Sequence, residues 1–405
     1  MASAAYPKSK PAWRGVRSAP EVPWGWGAPT RASALGVACA LFVVALSHTG
    51  QAAWDRATPI RGMTVGPIES AVHPGKGYGS SACARTMAEL ARIGATWVSI
   101  TPYGRVLDLA PSGIDWTFES PYVENRTRVL AAMRQAHENG LRVMLVPHLW
   151  VESGEWRGEI EPGSAAAWRR WEGAYRAFLV GWAEVAREGE ADMLSVGVEL
   201  RSWLTTAHAS SFFPIIDDVR RVYAGPLTYS ANWDDVDDTI ILGALDVVGI
   251  NAFYPLAEQG GALLPELLKG GHTVALRVKR LAAKWNKPVV FTELGYTTRS
   301  DPAVRPWEWP DKMTNVVVDE RAQAEAYRGL LAPLLDEPSF MGFFVWRFYA
   351  DPNDVSQESE WGFSPRGKRA ELVVRDAYRA HWASDGPRRP GEALARFGAT
   401  VPGAY

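Results

Sequence analysis

Cysteine is almost missing from this chain, with Cys39 and Cys83 the only two in 405 residues. Cys39 lies inside an apolar run, so a mature exported form would keep one thiol, and a disulfide scaffold is excluded. Gly36, Val37 and Ala38 precede Cys39, but Leu35 stands one place too early for a bacterial lipid-attachment box. Cys83 reads as a core thiol. An excess of either charge is missing too. Lys plus Arg total 43 against 45 Asp plus Glu, a net charge of -2, so the positive field that attracts phosphate backbones is lacking and nucleic acid is not expected as a partner.

Several catalytic signatures are absent as well. The seven His show neither HExxH nor HxH spacing, so no metal site is expected. Gly75, Gly77 and Gly79 flank Lys76 without forming GxxxxGK[ST] or a dinucleotide fingerprint with its acidic mate, and no cofactor is expected. No GxSxG nucleophile elbow occurs. Asp234, Asp235, Asp237 and Asp238 read as a solvated loop cap ahead of residues 239–242 rather than a calcium loop.

Uncharged apolar length is limited to residues 32–46, short of the roughly 20 residues of a comfortable span but suited to a signal-peptide core. The residues before it carry Lys8, Lys10, Arg14, Arg17 and Arg31 against Glu21, without periodicity, as a disordered lead-in does. Gly50, Gln51, Ala52 and Ala53 offer a cleavage site. An exported, monomeric protein is expected, touching a membrane only through residues 32–46 if the leader is kept. Residues 1–53 would be leader, 54–384 one domain and 385–405 a loose tail.

What the chain does contain is a core-forming composition, 47% hydrophobic and 22% charged. Nineteen Trp supply flat apolar faces for core packing or for stacking on sugar rings. From residue 60 onward, apolar runs rich in β-branched and aromatic residues alternate with segments of helical period. Strands are expected at 60–66, 96–103, 142–150, 193–200, 226–232, 245–254, 288–296 and 340–349. Helices are expected between them at 81–93, 123–139, 165–187, 277–285 and 320–335. Eight β/α units fit a single closed (β/α)8 TIM barrel of the α/β class, with an open doubly wound sheet as the alternative.

A barrel of this kind gathers its chemistry at the carboxyl ends of its strands. Glu199 closes the fourth expected strand and Glu293 follows the apolar run of the seventh. Either acid alone reads equally as a strand-end carboxylate paired with an Arg. Two on facing strands can flank a glycosidic bond, where retaining hydrolysis needs a nucleophile and a proton donor about 5–5.5 Å apart. Tyr254 and Arg347 are candidate donors to Glu293. His148 closes the third strand, Asn232 the fifth, and Asn251 lies in the sixth, positions from which polar groups reach sugar hydroxyls. Trp150, Trp233 and Trp346 stand at or past the ends of the third, fifth and eighth strands as candidate sugar platforms. Loops holding Glu152, Glu155 and Trp156, and Trp307, Glu308 and Trp309, could line a cleft.

The runs at 289–296 (VVFTELGY), 195–200 (SVGVEL) and 249–256 (GINAFYPL) resemble the barrel glycosidases of clan A. With 147–150 (PHLW), 229–233 (YSANW) and 362–368 (GFSPRGK), the chain most resembles glycoside hydrolase family 113 over residues 60 to about 383. The resemblance implies a retaining endo-β-1,4-mannanase acting on a polysaccharide or oligosaccharide, with Glu199 as acid/base, Glu293 as nucleophile and Trp346 as sugar platform. One position departs from the pattern: most of the clan has Asn before the acid/base, and here Val198 stands there. A glycan-binding barrel without catalysis, or a β-glucanase or exo-glycosidase of the same clan, are the alternatives.

Overall fold

The structure is a computed structural model that describes residues 59–71, 73–353 and 358–380. The expected leader, with Cys39, and the tail at 385–405 lie outside the described residues. Eight parallel strands close the barrel: β1 (Ile60–Gly66), β2 (Trp97–Ile100), β4 (Arg142–Leu145), β6 (Met193–Val198), β7 (Leu227–Asn232), β8 (Val248–Asn251), β9 (Val289–Leu294) and β10 (Phe340–Tyr349). β1 pairs with both β2 and β10, which completes the ring.

Two expected strands each divide at a proline. Pro102 ends β2 and Pro147 ends β4, because neither has an N–H to give to the ladder. Beyond them the chain leaves the barrel, and β3 (Tyr103–Val106) pairs with β5 (His148–Val151) as a separate two-stranded sheet. His148 and Trp150 therefore sit on this ribbon and not, as the sequence suggests, at the end of the third barrel strand. The sixth strand is also shorter than expected, ending at Asn251.

Helices cover the outside: α1 (Ser81–Ile93), α2 (Tyr122–Glu138), α3 (Ala165–Glu188), α4 (Arg201–Leu204), α5 (Phe213–Val222), α6 (Leu264–Trp285), α7 (Glu320–Leu334) and α8 (Arg369–Ala380). Three of them start at a capping side chain, with Ser80, Ser164 and Asp319 accepting from the N–H of Cys83, Ala167 and Ala322 at the heads of α1, α3 and α7. α1 stops at Gly94, whose φ of 98° suits a residue without Cβ. The segment expected at 277–285 is only the second half of α6.

The core has two layers. The larger packs apolar helix faces against the outer strand faces and includes Trp171, Phe178, Trp182, Leu330 and Tyr378. The smaller fills the barrel itself with Ile60, Trp97, Met144, Met193, Val198, Val290 and Phe344. Trp97 meets Phe344 edge-on at 6.2 Å, and a Cβ on Gly62 would lie 2.3 Å from the Phe344 ring. The interior is thus filled, and chemistry is confined to its mouth.

α6 and α7 approach through glycine: a Cβ on Gly271 would come within 2.0 Å of the Gly329 carbonyl oxygen. The contact bears on the site, because α7 carries Gln323, whose Nε2 donates to the carbonyls of Tyr296 (2.8 Å) and Phe363 (3.2 Å) in the loops after β9 and β10. Gly271→Ala is expected to lower stability by about 1–3 kcal/mol through overpacking. Denaturant titration checks this, and a loss under about 0.5 kcal/mol would mean the helices do not meet there.

Candidate active site

Glu199 follows β6 directly, with φ of 51°, an uncommon conformation for a residue with a Cβ. The surroundings hold it there. Its N–H donates to the Ser230 carbonyl (2.9 Å), and the next N–H, of Leu200, donates to the Tyr229 hydroxyl (2.6 Å). One turn back, Gly197 leaves room for the Tyr175 hydroxyl, which a Cβ would approach to 2.7 Å. Glu293 lies within β9, in register with Asn251 of β8. Both acids are nearly out of water, at 8% and 7% exposure.

Their partners differ. Glu199 accepts three hydrogen bonds: Trp156 Nε1 and Arg157 Nη1 each donate to Oε2 at 2.8 Å, and Asn251 Nδ2 donates to Oε1 at 3.1 Å. Asn251 is itself fixed by Thr292, whose hydroxyl donates to Asn251 Oδ1 at 3.0 Å. Glu293 Oε1 has no hydrogen-bond partner, and the nearest cationic candidate is His148 Nε2 at 3.4 Å. Burial, and then the negative charge of Glu199, push the Glu293 carboxyl up to about 8, while Arg157, the Asn251 amide and Arg347 oppose the rise. Burial, then Arg157 and Arg347, hold His148 well below the ordinary histidine range, so its imidazole is neutral. Below about pH 8 the Glu293 carboxyl therefore keeps its proton.

Of the residues singled out in the sequence, His148, Trp156 and Asn251 meet the two acids directly. Trp346 stacks on His148 with centroids 6.0 Å apart and packs with Phe253 and Phe363. Trp233 stacks on Trp307 at 5.3 Å, joining the loops after β7 and β9. Trp150 lies on the outer ribbon beside Arg105. Asn232 Nδ2 donates to Asp234 Oδ1 at 2.7 Å, within its own loop.

Two expected donors to Glu293 do not reach it. The Tyr254 hydroxyl is buried without a partner, its ring against Trp233 and Phe291, because the chain leaves strand geometry after Asn251 and alternation no longer sets side-chain direction. Arg347 lies over the Trp346 and Tyr349 rings and donates to the Tyr349 hydroxyl at 3.3 Å, so it acts on Glu293 only through its charge. Among the acidic cluster, Asp235 is buried rather than solvated and pairs with Arg201 at 2.8 Å. The Arg201 guanidinium lies 4.5 Å over the Trp156 ring. Arg157 and Thr292 escape sequence reasoning: Arg157 sits in an irregular loop without periodicity, and Thr292 reads as one more apolar-strand residue.

A closed β/α barrel with two buried carboxylates at the ends of its fourth and seventh strands is the architecture of an acid-pair glycosidase. Comparison narrows this. The profile of glycoside hydrolase family 113 matches residues 71–368, and the chain belongs to that family. It is a glycoside hydrolase of mannanase-like type. The chain is 26% identical to a family 113 β-mannanase from Alicyclobacillus acidocaldarius, crystallised with ManMIm, over 80% of this chain and 98% of that one, with a TM-score of 0.69. A second family 113 β-1,4-mannanase, solved as a complex, shares 21% identity over 80% and 99% of the two chains, with a TM-score of 0.67. A family 5 mannosidase from Rhizomucor miehei shares the fold at 11% identity, over 84% and 94%, with a TM-score of 0.58. No curated protein sequence matches the chain.

The electrostatics carry a stability signature. The native Glu293 carboxyl keeps its proton to about 8, whereas its ordinary value is 4.5. Stability from this group is thus full below pH 4.5 and is lost as pH rises toward 8. Glu293→Gln has no proton to lose, so its melting temperature relative to wild type is expected to climb between pH 5 and pH 8. A difference that stays flat across that range would contradict the assignment.

Proposed function

We propose that this chain hydrolyses β-1,4-mannan or its oligosaccharides with retention, through Glu293 as nucleophile and Glu199 as acid/base. The observation that carries the reading is the placement of two buried acids at the ends of the fourth and seventh barrel strands, joined through Asn251, whose amide donates to Glu199 and whose backbone stands in register with Glu293. A retaining pair, about 5–5.5 Å apart across the scissile bond, needs two acids brought to one mouth in this way. The mannanase neighbours supply the sugar and linkage.

In the first half-reaction a Glu293 oxygen attacks the anomeric carbon as the Glu199 proton passes to the leaving oxygen. Esterification removes the Glu293 charge, so Glu199 can then hold the proton of an attacking water. Asn251 orients both acids. Val198 is buried in the barrel interior, so the work that a neighbouring Asn does elsewhere in the clan falls to another group, and Asn251 is the asparagine that bonds to Glu199. Trp233, Trp307 and Trp346 are proposed to line the sugar path. The apolar run at 32–46 and the small residues at 50–53 support export as part of the same reading.

Incubation with mannan, glucan and xylan is expected to release reducing sugar from mannan, with the β-anomer appearing first by proton NMR. Glu293→Gln is expected to lose essentially all turnover while remaining folded. Glu199→Ala, assayed on an aryl β-mannoside with a good leaving group, is expected to regain turnover with azide as a β-mannosyl azide forms. Initial α-anomer, or near-normal hydrolysis by Glu293→Gln, would reject the reading.

A further inference from the structure

Both oxygens of Glu199 are engaged as hydrogen-bond acceptors. A carboxyl that is to protonate a leaving oxygen must carry a hydrogen, yet Oε2 faces two donors at 2.8 Å, the Arg157 guanidinium and the Trp156 indole. The Asn251 amide donates to the other oxygen. Three donors on two oxygens describe a carboxylate. The clamp is itself built: Arg157 Nε donates to the Leu149 carbonyl at 2.8 Å, and the Trp156 ring covers Gly158, where a Cβ would meet it at 2.4 Å. On its other side Trp156 carries Arg201, held by Asp235 and Asp234.

We propose that Arg157 is a displaceable counter-ion, a positioning residue that holds Glu199 as an acceptor and that the incoming glycan must move aside before Glu199 can act as the acid. The inference rests on the retaining reading above. The proton is already in the site, because the buried Glu293 carboxyl keeps it up to about 8. When Arg157 leaves, the O–H bond of Glu293 breaks and an O–H bond on Glu199 forms, so the nucleophile becomes ionised and the acid charged with its proton at no net uptake. Sugar hydroxyls then replace Glu199 as acceptors for the guanidinium, whose Nε anchor to Leu149 permits a pivot. The charged and titratable groups near Glu199 are Glu293 on β9, Arg157 in the loop after β5, Asp235 with Arg201 beside β7, and Tyr229 on β7. His148 and Arg347 face Glu293. Arg157 is the one cation in direct contact with Glu199 among the described residues.

The test compares pH profiles of kcat/KM and of kcat on a β-1,4-mannotetraose for wild type, Arg157→Gln, Arg157→Lys and Trp156→Phe. The first profile reports the free enzyme and the second the complex. With Arg157→Gln the kcat/KM bell is expected to move to higher pH by about one unit, the size of effect an opposite charge at contact exerts. The kcat bell is expected to stay, because Arg157 has already moved in the complex, and KM is expected to fall several-fold. Arg157→Lys keeps the charge and should restore the wild-type profile. Trp156→Phe removes the second donor and should move the kcat/KM bell the same way by less, which keeps the question open to test if Arg157→Gln does not fold. Unmoved profiles, or both bells moving together, would overturn the proposal. Failure of the retaining reading is distinct, since it would appear as an initial α-anomer or as near-normal hydrolysis by Glu293→Gln.

Discussion

Two carboxylates taken out of water side by side cannot both be charged at little cost, and the rest of this active site answers to that constraint. Each ion loses hydration, and each raises the cost of the other. The barrel brings Glu199 and Glu293 together from strands on opposite sides of its mouth, both almost fully buried. Their surroundings are unlike. Donors converge on Glu199, while Glu293 faces a neutral imidazole and its Oε1 has no partner. Two chemically similar side chains are thus set in different environments, which is the condition double displacement requires.

A proton kept on Glu293 stands on the acid that the proposed chemistry needs ionised at the moment of attack. That opposition is a reason to regard the loop after β5 as part of the mechanism and not as a wall of the cleft. Trp156 and Arg157 come from that loop, Arg201 follows Glu199 by two residues, and Asp234 and Asp235 come from the loop after β7. A chain of contacts thus runs from a surface acidic cluster to the carboxylate of the proposed acid. A substrate that moves Arg157 acts on this whole chain.

Much of the frame was legible in the sequence. The bounds of β1 and β10 follow from β-branched and aromatic runs closed by turn residues, and both acids stand where such runs end. Prolines inside two other runs marked the breaks that create the outer ribbon, but an apolar stretch reads as continuous when hydropathy alone is followed, and His148 was therefore assigned to the barrel. The donors were harder to read. Arg157 lies in irregular chain, where neither period nor spacing says which way a side chain points. Asn251 was legible as a polar residue in an apolar strand but not as a link between the acids, since that depends on the register of β8 against β9. Tyr254 and Arg347 failed as donors for a related reason: past the last ladder residue, or among stacked aromatics, alternation ceases to fix direction.

The division of labour between the acids is tested most directly by trapping. Reaction with an activated 2-deoxy-2-fluoro-β-mannoside, whose fluorine slows both steps while the good leaving group spares the first, should leave one sugar bound covalently. Peptide mass spectrometry is expected to find that sugar on Glu293. A sugar on Glu199, or turnover without any covalent species, would contradict the assignment.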